Sequence, residues 1–103
     1  MKVAIATNDD SLKSTFDQHF GRCKFFYLYD TGIKLGEFKE NLGQHQVEKA
    51  GNEAANMMVN EGVGLVVAGR FGTKVVEILR GKNIQMVIPQ KQQTVQEIIT
   101  QLK

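Results

Sequence analysis

A single cysteine, Cys23, among 103 residues cannot close an internal disulfide, and alone it cannot build a four-cysteine zinc or iron–sulfur site. Any metal centre would need other ligands or a second chain. No apolar run approaches the roughly 20 residues needed to cross a bilayer, and the chain enters an apolar strand at Lys2 without a charged region followed by a long apolar one. The expectation is a cytoplasmic protein without membrane contact. Excess charge is also scarce: 13 Lys and Arg stand against 11 Asp and Glu, a formal net charge of +2. Nucleic-acid binding usually needs bases gathered on one face, and here they are scattered among the acids, so no nucleic-acid partner is expected. Low-complexity tracts and repeated segments are missing too.

What remains is an ordinary globular composition, 42% apolar and 23% charged, in a length that suits one domain over residues 1–103. Lys2 to Thr7 is a short β-branched run ending at the turn cluster Asn8-Asp9-Asp10. Ser11 to Gly21 lacks periodicity and reads as a long loop, a length often tied to function. Lys24 to Asp30 and Ile33 to Glu40, separated by Thr31-Gly32, predict a hairpin, with Gly36 as a bulge that brings Phe38 into register. Asn52 is the expected cap of a helix reaching about Glu61, stopped by Gly62. Val63 to Ala68 predicts a strand covered on both faces, Phe71 to Arg80 a helix, and Ile84 to Ile88 another strand. Thr94-Val95-Gln96-Glu97 has capping-box spacing ahead of a Val95, Ile98, Ile99, Leu102 stripe. The order β-β-β-α-β-α-β-α predicts an α/β fold of three layers, a five-stranded mixed sheet with helices on both faces.

In such sheets the ligand crevice lies beyond the carboxyl ends of the strands. Two compact elements sit at such places. His19-Phe20-Gly21-Arg22 ends the long loop after the first strand, and Gly69-Arg70-Phe71-Gly72 joins a strand to a helix. Arg22 offers planar paired donors to sulfide, phosphate or carboxylate, and Arg70 precedes a helix start whose free amides favour anions. His19 is an imidazole able to ligate a metal near neutral pH, or else a loop histidine bonded to backbone. Gly21, Gly69 and Gly72 complete the candidate binding set. Cys23 is either a thiol ligand or a small apolar packing group. Met57 and Met58 fit core filling better than metal ligation, and Asp9 and Asp10 fit turn bonds.

Lys2-Val3-Ala4-Ile5-Ala6, His19-Phe20-Gly21-Arg22, Phe25-Phe26-Tyr27-Leu28-Tyr29-Asp30, Gly51 and Gly69-Arg70-Phe71-Gly72 together resemble the dinitrogenase iron-molybdenum cofactor family over almost the whole chain. The resemblance implies a ribonuclease-H-like fold and non-catalytic binding of an anionic iron–sulfur or molybdenum–iron–sulfur cluster. It implies cluster donor and acceptor proteins as partners, with the chain a monomer or weak homodimer. Cluster ligation would come from His19, with Cys23 or His45 as further metal ligands. Relatives carry a histidine near position 45, although a solvated loop histidine describes His45 better. Two departures stand out: Cys23 occupies a position where the family usually has a small residue such as Ala, and the glycine-rich approach to the first helix is reduced to Ala50-Gly51-Asn52.

Enzymatic readings find less support. Ser11, Ser14 and Cys23 have no evident partnered His and acid. A two-metal nuclease needs converging carboxylates, yet Val3 to Thr7 holds none. Gly69 to Lys74 lacks the P-loop order. A small regulatory domain binding a phosphorylated or other anionic small molecule is the alternative to a cluster carrier, and no enzyme activity is expected.

Overall fold

A computed structural model describes residues 1–43 and 50–102. Consecutive apolar residues on β1 (Lys2–Thr7) leave neither face of that strand for water, and Val3 to Thr7 are all buried. β1 therefore takes the centre of the sheet. The other elements are β2 (Phe25–Asp30), β3 (Leu35–Glu40), α1 (Ala50–Asn60), β4 (Leu65–Val67), α2 (Thr73–Gly81), β5 (Gln85–Val87) and α3 (Val95–Gln101). The strands lie in the order β3-β2-β1-β4-β5. β1, β2 and β3 pair antiparallel, whereas β4 runs parallel to both β1 and β5. This is the five-stranded mixed sheet and the element order that the sequence predicts.

Alternation along the strands sends two sets of side chains to opposite faces. Ala4, Ala6, Phe26, Leu28 and Val66 meet Ala54, Ala55 and Met58 of α1 and Val75 and Leu79 of α2. Val3, Ile5, Tyr27 and Val67 meet Val95 and Ile98 of α3. Three layers result, with Met57 and Met58 buried as core residues. No helix among the described residues is long and apolar enough to cross a membrane.

The hairpin departs from expectation. Pairing runs unbroken from Phe25↔Glu40 to Asp30↔Leu35, so Gly36 makes no bulge. Phe38 stands directly opposite Tyr27, their rings 4.6 Å apart, and a Cβ on Gly36 would strike the Tyr27 ring. Gly36 is the residue over which that ring lies. Ile33 belongs to the connecting loop, not the strand, and is exposed. That loop is closed by Gly32 N–H donating to Asp30 Oδ1 at 2.8 Å and Lys34 N–H donating to Asp30 O at 2.7 Å, with Lys34 at φ 59°.

Asn52 is not a cap, because α1 already includes Ala50 and Gly51. Gly51 serves the packing of helix on helix: a Cβ there would come within 2.7 Å of Val75 on α2. Gly62 does end α1, at φ 72°, with Val63 N–H donating to Met58 O at 3.1 Å. α2 begins at Thr73, with Gly72 as its N-cap, and keeps Gly81 inside its last turn. α3 has the capping box that its sequence predicts, Thr94 and Glu97 each bonding the other's backbone.

Candidate functional site

Parallel β1 and β4 release the chain at the same end of the sheet, which sets the loop after β1 beside the turn after β4. Backbone bonds join the two. Asp17 N–H donates to Ala6 O at 2.7 Å, Gly69 N–H to Asp17 O at 3.0 Å, and Phe20 N–H to Arg70 O at 3.3 Å. His19 and Arg70 form a parallel bridge. The long loop is also tied to the opposite layer, where Phe16 N–H donates to Gln93 O at 3.1 Å and Val95 N–H to Ser14 O at 2.8 Å. A segment without periodicity is thus held at both ends of its course.

Side chains lock the same junction. Phe20 is buried, with its ring 5.4 Å from both Phe26 and Phe71. Each Arg-bearing element therefore contributes one phenylalanine to a shared aromatic contact, and that contact leaves His19, Arg22 and Arg70 exposed. Sequence reading missed Phe20 and Phe71 as anchors, although the neighbouring Phe in both elements is the signal. Gly69 is required by close approach: a Cβ there would fall 2.8 Å from the Gln18 Cα.

Between these parts lies a recess of about 210 Å³ lined by His19, Phe20, Gly21, Arg22, Gly51, Arg70, Gly72 and Val75. It brings together five of the predicted binding residues, His19, Gly21, Arg22, Arg70 and Gly72. Gly69 lies beneath the crossing loop and forms none of the wall. Larger hollows of about 730 and 900 Å³ flank β5, but their walls are largely aliphatic, with Lys91 in one and Arg80 in the other. The smaller recess is where charge and exposed backbone converge.

Of the two readings of Cys23, its burial supports the packing one. It is fully buried, and its S–H donates to Phe20 O at 3.4 Å. Burial first, and Asp17 second, push the thiol up to about 12. The thiol faces the core, and Cys23 forms no part of the recess wall. His45 falls outside the described residues. Among the described residues no group of three His, Cys, Asp or Glu side chains is placed to hold a metal ion.

Asn41 was also missed. It is 1% exposed, and its amide donates to Gly21 O at 3.0 Å and Cys23 O at 2.9 Å. A lone Asn just past a strand carries no periodic signal that could have marked it.

The recess can hold an anion. Two guanidinium groups border it, and the first-turn amides of α2 follow Gly72, which has no side chain to cap them. Uncapped amides at a helix start carry partial positive charge. The fold and this recess define a small α/β domain with a basic rim between two strand ends. The chain belongs to the dinitrogenase iron-molybdenum cofactor family, whose model matches residues 1–103. No curated protein matches it. Among solved structures, a putative NifB protein from Thermotoga is 27% identical, with a TM-score of 0.83 over 98% of this chain and 85% of that one. The protein PH0822 is 25% identical, with a TM-score of 0.80 over 99% and 89%. The apo form of the orange protein from Desulfovibrio gigas has the same fold, with a TM-score of 0.90 over 98% and 85% at 24% identity.

Proposed function

We propose that this protein is a non-catalytic carrier that holds an anionic iron–sulfur or molybdenum–iron–sulfur cluster, or a precursor of one, in the recess between His19 and Arg70. The observation that carries the reading is the His19–Arg70 bridge, which places two Gly-Arg elements and the uncapped start of α2 around one cavity. Membership in a family described by the iron-molybdenum cofactor supports a metal–sulfur cargo over other anions. In this reading Arg22 and Arg70 supply charge-assisted donors to the cluster's sulfides, and His19 supplies one exchangeable ligand. Cys23 supplies none. A carrier must release what it holds, and one protein ligand with hydrogen-bond support suits release better than a full ligand set. Donor and acceptor proteins would then be its partners, with the chain acting as a monomer or weak homodimer.

A second reading rests on a separate observation. With Cys23 buried and no three-residue ligand group among the described residues, the same basic recess also fits a phosphorylated small molecule held by hydrogen bonds alone. Anaerobic titration with a synthetic iron–sulfur cluster, followed by absorption and metal content, separates the two. Saturable binding that is lost when His19→Ala and Arg70→Ala are combined supports the carrier. Equal binding by that double variant contradicts it, and thermal stabilisation by phosphate but not by cluster favours the second reading.

A further inference from the structure

The wall of the recess is partly backbone, and backbone presents either its carbonyls or its amides depending on which way each peptide faces. Three bonds settle the direction at residues 20–23. The Phe20 carbonyl accepts from the Cys23 thiol at 3.4 Å, and the Gly21 and Cys23 carbonyls accept from Asn41 Nδ2 at 3.0 and 2.9 Å. Both donors are buried, Cys23 fully and Asn41 to 1% exposure, so these carbonyls point into the protein. None of the peptide bonds among the described residues is cis, and in a planar trans peptide the N–H points opposite to the C=O. The N–H groups of Gly21 and Arg22 are therefore turned away from the core, at two residues that line the recess. Successive N–H groups facing one side make a concavity that attracts anions.

We propose that Asn41, assisted by the Cys23 thiol, is the positioning residue of the binding site: it draws the loop's carbonyls inward so that the Gly21 and Arg22 amides face the ligand, which Asn41 itself never touches. The proposal rests on the reading that the recess takes an anion. Asn41 is itself firmly placed, since its N–H donates to Lys24 O at 2.9 Å and its Oδ1 accepts from Gly43 N–H at 2.9 Å. Both ends of its side-chain amide are used, which explains an amide at this site. Two carbonyls demand a donor, and the Asp isostere would put an oxygen against both of them. Cys23 takes the matching part for the Phe20 carbonyl, a role that needs a hydrogen on sulfur, not a thiolate.

The experiment compares Asn41→Asp with Asn41→Ala. Binding of a synthetic iron–sulfur cluster is titrated anaerobically, and the Gly21 and Arg22 amide resonances and their exchange rates are followed in the cluster-free proteins. Asn41→Asp keeps the volume but repels the carbonyls, whereas Asn41→Ala leaves space that water can enter. Positioning predicts that affinity falls about tenfold for Ala and further for Asp, on the scale of a lost buried hydrogen bond, with both amides shifted. A packing role predicts the reverse order, because Ala opens the cavity and Asp does not. Reverse order, or unmoved Gly21 and Arg22 amides in Asn41→Asp, overturns the proposal. Should Asn41→Asp fail to fold, Cys23→Ser and Cys23→Ala decide it: Ser keeps a donor for the Phe20 carbonyl and retains affinity, Ala does not, and equal affinities overturn the proposal. If the parent protein binds no cluster, the carrier reading fails, while the amide resonances still decide the positioning.

Discussion

At the scale of single residues, the shape of the recess depends on groups other than its charged side chains. Phe20 lies between Phe26 and Phe71 and is 2% exposed, so Phe20→Ala removes a buried ring from the contact that joins both Arg-bearing elements. A loss of about 3–5 kcal/mol in unfolding free energy is expected, measured by urea denaturation. Gly69→Ala acts differently. Its new methyl would meet the Gln18 backbone, so the loop must shift where Gly69 N–H donates to Asp17 O. Cluster affinity should fall in this variant although residue 69 is off the recess wall, and unchanged affinity would show that the crossing does not set the geometry of His19. His19, Arg22 and Arg70 were legible in the sequence because imidazole and guanidinium beside glycine are chemically conspicuous. Asn41 and Phe20 were not, since their importance lies in what stands across the fold from them.

At the scale of elements, local signals worked best where the chain's immediate neighbours decide the outcome. The capping box of α3 is such a case. Thr94 Oγ1 accepts from Glu97 N–H at 3.1 Å, and Thr94 N–H donates to Glu97 Oε1 at 2.9 Å. Thr94→Ala should cost about 1 kcal/mol in thermal or urea unfolding. The bond from the Thr94 backbone, followed by that from its side chain, holds the Glu97 carboxyl below its usual value. A carboxylate lowered in the folded state stabilises fully above its unfolded value and loses that contribution as pH falls through its folded one. Stability should therefore decline more steeply on acidification in the parent than in Glu97→Gln, whose side chain does not titrate, and parallel pH profiles would contradict this. Elements whose details depend on distant partners were less legible. Gly36 resembles a bulge in sequence but is a platform for the Tyr27 ring, and Asn52 resembles a cap but sits in a helix turn that presses Gly51 toward Val75.

For the whole molecule, sheet topology is what makes a site from two remote segments. The order β3-β2-β1-β4-β5 puts β1 beside a parallel β4, which sets the segment holding residue 19 beside the one holding residue 70. The alternating pattern of strands and helices predicts parallel neighbours such as β4 and β5, which α2 joins, but not that β4 pairs with β1, from which β2, β3 and α1 separate it. The depth of Cys23 fits one of the two roles its sequence position allows, that of a small apolar packing group, since the strand it leads into runs through the core. The central claim is that an anionic cluster lies in the recess between the two Gly-Arg elements. Its most direct test is an amide NMR spectrum recorded during anaerobic titration with a paramagnetic iron–sulfur cluster, in which signals near the bound cluster broaden. The account predicts that broadening begins at His19 to Arg22, Gly51 and Arg70 to Val75. Broadening centred on the hollows beside β5, or spread evenly over the surface, would contradict it.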